Sequence, residues 1–566
     1  MSAWNGLGRR WLGSVAAPLP WRASQRAPWA ASWRGAGAAI ARRRLPLARL
    51  AEMLAALGLV ALGVVWRATN LFGYPRYQLD EGTYIASAWS VLHGQLSPYT
   101  YNYGHPPAGW ALIALWIQAT GGFFSFGTAV NSGRVFMVVL FALDALLVYL
   151  IARRLTSRPW AALLALALFA LSPLGVNYQR EVLLDNTATF WMLVALYLLV
   201  ASKSRLRFII GAAVAFALAV LSKETLLVLL PALMYGTWLA VSAFQRRFAV
   251  IVFTYAAVAL ISFFPLLALL KGEMFPSGTW LGGTHPHVSF IDTYLSQVAR
   301  GTVQGSLAQQ WASWWHDDCL LIVAGMLGIG GTLLHGWRRP ALRVVPLAAV
   351  SYWLFLARGG VTLGYYILPE LPLLALCAAL LLDGLARLRV RQAPGLARLA
   401  AFARGRWGRR MARRVVPALF VLACLLLIPW DLRLNHTNLT VDATAPETQA
   451  LAWVGQHVPP TAVIVANHYA FVDLRIGGGY ATPDGVPFSQ VQMYWQVATD
   501  PAIHTGLLHD DWNNIDYVLM DSDMTTDINN FQMAIIQQAL KHATIVKTFA
   551  NGQFHVTIYQ VTHRGA

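Results

Sequence analysis

The chain has 566 residues, of which 57% are hydrophobic and 12% charged, with a mean hydropathy of +0.50. A soluble protein with one or two cores cannot hide that much apolar surface, so a multi-pass membrane protein is expected. The formal charge of +18 would suit nucleic acid. Its distribution argues otherwise, because the basic residues cluster between apolar runs in the positive-inside pattern, and no nucleic-acid partner is expected.

Residues 1–49 hold nine arginines and no acid. The stretch is too long and too broken for a signal peptide and is predicted to be a cytoplasmic tail, lying near anionic lipid. The first span is predicted over 50–67, with its far end outside. Residues 106–122 are apolar enough to cross, but crossing would put Arg153, Arg154 and Arg158 outside. They are therefore predicted to form an interfacial or re-entrant helix on the outer face, opened by Pro106 and Pro107.

With that choice the later spans fall into register at 134–152, 159–176, 186–201, 208–222, 225–243 and 248–270. Further spans follow at 318–335, 344–357, 362–382 and 415–430. The predicted cytoplasmic stretches, including 384–414 with ten arginines and no acid, hold 30 of the 43 lysines and arginines. The expected architecture is a transmembrane domain over 50–430 of about 11 helices, with outer loops 68–133 and 271–317. Residues 431–566 change character. Glu447–Gln456 has a helical pattern, Val463–Ala466 and Tyr517–Met520 read as buried strands, and 544–549 with 554–560 reads as a hairpin around Asn551-Gly552. A small α/β extracytoplasmic domain is expected there. Cys319, Cys377 and Cys424 match no metal or disulfide spacing and read as small buried hydrophobes.

The outer face then collects the chemistry. Asp80 and Glu81 are adjacent carboxylates after the first span, and His105-Pro106-Pro107 follows. Arg134 heads the second predicted span. Asp185 lies between the third and fourth, Lys223 between the fifth and sixth, and Arg358 after the ninth. Each has a plainer reading: a solvated loop pair or helix-start charges for Asp80 and Glu81, loop packing for His105, interfacial snorkelling for the cations, and a helix cap for Asp185. His285-Pro286-His287 is too small a set to hold a metal by itself.

Leu79-Asp80-Glu81-Gly82-Thr83-Tyr84, Leu92-His93-Gly94 and His105-Pro106-Pro107 together resemble the first external loop of family 39 glycosyltransferases. These are GT-C-fold membrane enzymes similar to protein O-mannosyltransferases and lipid A aminoarabinose transferases. The resemblance continues through Arg134, the Ser172-Pro173 to Asp185 segment and Ser222-Lys223-Glu224, and fades over the last ~130 residues. It implies a GT-C-like fold and transfer of a hexosyl or pentosyl group from a polyprenyl-phosphate sugar to an acceptor hydroxyl, with inversion. The acceptor, whether protein, glycan or lipid, stays open.

On that reading Asp80 is the catalytic base, Glu81 a second carboxylate or metal ligand, and Asp185 a further catalytic candidate. Arg134, Lys223, Arg358 and His105 are donor phosphate-binding candidates. Asp80 and Glu81 would hold a divalent Mg or Mn ion if one is used. The expected setting is the plasma (inner) membrane, with the N-terminus cytoplasmic and the C-terminus outside, in contact with membrane lipids. A flippase or transporter for a lipid-linked substrate, or a non-catalytic membrane partner, is the alternative.

Overall fold

The computed structural model describes residues 47–156, 158–284, 287–299, 305–335, 339–386, 433, 435–478 and 485–563. The tail 1–46, the predicted span 415–430, most of the arginine segment 384–414, His285 and Cys424 lie outside the described residues.

Ten predicted spans coincide with helices. Six of these are long and apolar enough to cross a membrane: Leu47–Ala68, Ala129–Leu155, Leu184–Ala201, Ala243–Leu270, Leu307–Leu334 and Gly364–Leu385. The others are shorter, at Pro159–Ala170, Leu206–Ser222, Glu224–Ala240 and Pro340–Leu356. Their packed faces carry small and branched residues, such as Ala165, Ala188, Ala212, Ala215, Ala219 and Leu374, in one continuous core. Small side chains let helix backbones approach closely where lipid gives no hydrophobic drive between helices. The helix Ala108–Ala119 has 12 residues, so it spans about 18 Å, short of the ~30 Å hydrocarbon core.

Two breaks correct the sequence reading. The span placed at 159–176 stops at Ala170, and a separate turn, Pro173–Tyr178, begins at Ser172, whose hydroxyl accepts from the Gly175 amide. The span placed from 318 starts earlier, at Leu307, and kinks at Asp318 (φ −149°, ψ 57°). Asp318 caps the resumed helix: one carboxylate oxygen accepts from the Leu321 amide at 3.1 Å, the other from the Ser172 hydroxyl at 2.6 Å.

The C-terminal region contains the expected small α/β unit. Strands β1 (Ile464–Ala466), β2 (Val491–Met493), β3 (Tyr517–Asp521), β4 (Ala543–Asn551) and β5 (Phe554–Val561) form one sheet in the order β2-β1-β3-β5-β4. Strands β2, β1 and β3 are parallel, and the β4-β5 hairpin is antiparallel. Gly552 takes the left-handed conformation (φ 62°) that the hairpin turn requires.

The helix Leu79–Leu92 joins this unit to the membrane helices. Its residues Tyr84, Ile85, Ala86 and Ala88 share one core with Leu451, Val454, Tyr469 and Leu474 of the small domain and with Ile113 and Met137. A β-carbon at Gly82 would stand 2.2 Å from both the His468 carbonyl carbon and the Tyr469 nitrogen, so only glycine allows this approach. The Thr83 hydroxyl meets His468 Nδ1 at 2.7 Å.

Candidate active site

The adjacent carboxylates Asp80 and Glu81 open the helix Leu79–Leu92, where its positive end suits acids. Neighbouring helical residues point about 100° apart, so the two side chains part company. Glu81 turns inward and is fully buried. It accepts two hydrogen bonds from Arg134, at 2.9 and 2.7 Å, one from the Val182 amide at 2.9 Å and one from the Gln78 amide at 3.0 Å. Arg134 is equally buried and also donates to the carbonyls of Leu71 and Arg76. The pair staples the segment that follows the helix Leu47–Ala68 to the helix Ala129–Leu155. This corrects two expectations: Glu81 has no lone pair left for a metal or substrate, and Arg134 is spent on Glu81 and cannot clamp a phosphate.

Asp80 points the other way and stays half-buried. Its Oδ2 accepts from the Tyr365 hydroxyl at 2.5 Å. Tyr365 sits on the turn Gly364–Ile367, which is pinned on both sides. The Trp314 indole donates to the Gly364 carbonyl at 2.8 Å, and the Tyr352 hydroxyl donates to the Tyr366 carbonyl at 2.9 Å. A β-carbon at Gly364 would lie 2.2 Å from the Tyr178 hydroxyl oxygen, so glycine lets the turn close against that ring.

Lys223 lies on the far side of the same tyrosines. It is the extended residue between the helix Leu206–Ser222 and the turn Glu224–Leu229, and it is almost wholly buried. Its Nζ stands 5.9 Å from the Tyr365 ring centroid and 5.4 Å from that of Tyr366. It is 3.4 Å from Asp185 Oδ2 and 3.5 Å from His105 Nε2. Neither oxygen of buried Asp185 has a hydrogen-bond partner, so the ion pair is held by charge alone. Asp185 does not cap its helix, whose first flanking residue is Leu183. His105 Nδ1 contacts Glu224 Oε2 at 3.0 Å, and its ring lies edge-on to Tyr84 at 6.2 Å. Burial, with help from the Asp80 charge, pushes the Tyr84 hydroxyl well above its ordinary pKa, so it stays a neutral donor.

Of the sequence candidates, the structure thus brings together Asp80, Asp185, Lys223 and His105. Arg358 stays apart: it is exposed, donates to the carbonyls of Phe355 and Val361, and stacks on Phe355, a local arrangement that gives it no part in the clamp. The donor set does not fit a bound Mg or Mn. Glu81 is saturated, and among the described residues no three His, Cys, Asp or Glu side chains group around a cation position. His287 Nε2 lies against the Phe275 carbonyl. The sequence reading names Glu224 only as a charge beside Lys223 and gives Tyr84, Tyr365 and Tyr366 no role in the site. Glu224 adjoins Lys223 and was legible as a neighbour, whereas the tyrosines carry no local signal.

Residues 105–269 match the family model described as dolichyl-phosphate-mannose-protein mannosyltransferase. The undecaprenyl phosphate-α-4-amino-4-deoxy-L-arabinose arabinosyl transferase of Pseudomonas aeruginosa (strain UCBPP-PA14) is 30% identical over 300 residues, 49% of this chain and 49% of that protein. Its namesake in Pseudomonas paraeruginosa (strain DSM 24068 / PA7) is 31% identical over 342 residues, 56% of this chain and 57% of that protein. The chain spans about half the length of the curated relatives it matches. Among solved structures, ArnT from Cupriavidus metallidurans bound to undecaprenyl phosphate superposes with a TM-score of 0.56 at 15% identity, over 89% of this chain and 97% of that one. The Archaeoglobus fulgidus oligosaccharyltransferase in the apo form superposes with a TM-score of 0.51 at 14% identity, over 90% of this chain and 74% of that one. The chain thus shares the overall fold of these two solved proteins, and its residues 105–269 are similar to the dolichyl-phosphate-mannose-protein mannosyltransferase family.

Proposed function

We propose that this protein is a glycosyltransferase that moves a sugar from a polyprenyl-phosphate carrier to an acceptor hydroxyl, with inversion. The observation that carries the reading is the placement of a carboxylate and a buried cation about one tyrosine ring. Asp80 accepts from the Tyr365 hydroxyl, and Lys223 lies against the same ring with His105 beside it. In this scheme the Tyr365 hydroxyl occupies Oδ2 of Asp80 and leaves Oδ1 to take the proton of the acceptor hydroxyl. The acceptor oxygen bonds to the anomeric carbon as the carbon–oxygen bond to phosphate breaks. The electron pair goes to the phosphate oxygen, where Lys223 and His105 meet the growing charge. A phosphate leaves without a general acid, so a single base serves. One attack from the face opposite the phosphate inverts the centre.

The curated relatives are named for an aminoarabinose carried on undecaprenyl phosphate, which supports a polyprenyl carrier here. The arginine clusters support a plasma-membrane setting with the site and the C-terminal domain on the outer face. The acceptor on this reading is a protein, glycan or lipid hydroxyl.

The test is Asp80→Asn, which keeps the shape and cannot take a proton. Turnover of a polyprenyl-phosphate sugar should fall roughly 10²–10⁴-fold at unchanged thermal stability. Retention of most of the activity would remove Asp80 as the base, and a dead Asp185→Asn beside it would move the base to Asp185.

A further inference from the structure

We propose that Glu224 is a positioning residue that sets the His105 ring against the donor phosphate, an inference that rests on the donor-phosphate reading above. The backbone of His105 is already fixed. Its carbonyl accepts from the Tyr101 hydroxyl at 2.6 Å, and a residue before proline is confined to extended backbone. What remains free is rotation of the ring. Glu224 removes that freedom, because its Oε2 lies 3.0 Å from Nδ1 and a carboxylate only accepts, so Nδ1 carries a hydrogen.

The other ring nitrogen, Nε2, is thereby turned to the Lys223 ammonium 3.5 Å away. An oxygen of a phosphate entering beside Lys223 meets both groups. The Glu224 carboxylate holds the Nδ1 side of the ring and leaves Nε2 facing Lys223, whose charge is paired with Asp185. The chain achieves this with two consecutive residues. Lys223 is extended (φ −148°, ψ 111°) and Glu224 begins the next turn, so their side chains diverge to Asp185 and to His105. The four groups form one line with a carboxylate at each end: Asp185, Lys223, His105, Glu224.

The experiment measures undecaprenyl phosphate binding to the purified full-length chain in detergent, for wild type, Lys223→Ala, His105→Ala, Glu224→Ala, Glu224→Gln and the double variants with His105→Ala. Glu224→Ala should weaken binding about tenfold, the usual loss of one charge-assisted contact. Glu224→Gln should lose less, since its amide oxygen still accepts from Nδ1. The decisive readout is the double-mutant cycle: once His105 is alanine, changing Glu224 should cost nothing more. Additive losses, or a Glu224→Ala that binds like wild type, overturn the inference. If Glu224→Ala does not fold, the cycle with Glu224→Gln decides by the same criterion. Should Lys223→Ala bind the lipid phosphate as wild type does, the donor-phosphate reading itself falls. If Lys223→Ala binds weakly while Glu224 acts independently of His105, only the positioning role falls.

Discussion

Asp80 and Glu81 show how two adjacent acids take unlike parts. Glu81 belongs to the frame, and removing its charge leaves the Arg134 guanidinium buried and unpaired. Glu81→Gln should destabilise the protein by about 3–5 kcal/mol, read as a lower melting temperature in detergent, with any activity loss following the loss of folded protein. A Glu81→Gln protein that melts like wild type but has lost its turnover would return Glu81 to the chemistry. Lys223 is a ligand group in waiting, because among the described residues its carboxylate partner, Asp185, stands at a long 3.4 Å, and His105 Nε2 at 3.5 Å. Lys223→Ala should weaken use of the lipid-phosphate donor by about 1.5–3 kcal/mol and leave acceptor use less affected. Unchanged donor kinetics would make Lys223 structural.

Among elements, the helix Leu79–Leu92 does the joining, and the small domain grips it from behind. Arg76, ahead of the helix, pairs with Asp523 and bonds Ser522, while the Tyr77 amide donates to Glu447 at 3.0 Å. At the same seam Asp473 Oδ2 accepts from the Ala129 amide at 3.2 Å, and its Oδ1 has no partner. Burial raises its pKa from 3.8 to about 7. The unfolded carboxyl loses its proton near pH 4, whereas the folded one keeps it until about pH 7. Its contribution to stability is therefore full below pH 4, falls away as the pH rises to 7, and stays lost above. Asp473→Asn should remove this slope, which is worth on the order of 2–4 kcal/mol. The melting temperature should rise at pH 8 and change little at pH 4; equal shifts at both would exclude Asp473 as the titrating group. His468 on the same seam has its pKa lowered from 6.5 to about 3 by burial, so between pH 3 and 6.5 it adds a slope of the opposite sign, with stability rising as the proton is lost; the comparison of Asp473→Asn with wild type cancels that shared slope.

For the whole molecule, the charge pattern makes one checkable statement. Single cysteines at 395, in the ten-arginine segment, and at 553, on the exposed tip of the β4-β5 hairpin, should differ towards an impermeant thiol reagent in intact cells. Position 553 should label and 395 should not. The reverse pattern would put the Asp80 site in the cytoplasm and end the proposal of an outer-face transferase.

The membrane class, ten of the helices, the short helix after His105, and the two buried strands and hairpin of the C-terminal unit were legible in the sequence. Apolar length and strand alternation are local properties, and the chain carries them residue by residue. Asp80, His105, Asp185 and Lys223 were legible too, through a resemblance in short motifs. Three-dimensional packing alone decided the division of labour. Glu81 and Arg134 lie 53 positions apart, and nothing in their neighbours says that each consumes the other. Tyr365 reaches Asp80 across 285 positions, on a turn held by Trp314 and Tyr352 from two other helices. Even the kink at Asp318 depends on a serine hydroxyl 146 positions away. Charge and hydropathy place a side chain at a membrane face, but a hydrogen bond forms only where the folded chain sets donor and acceptor within about 3 Å.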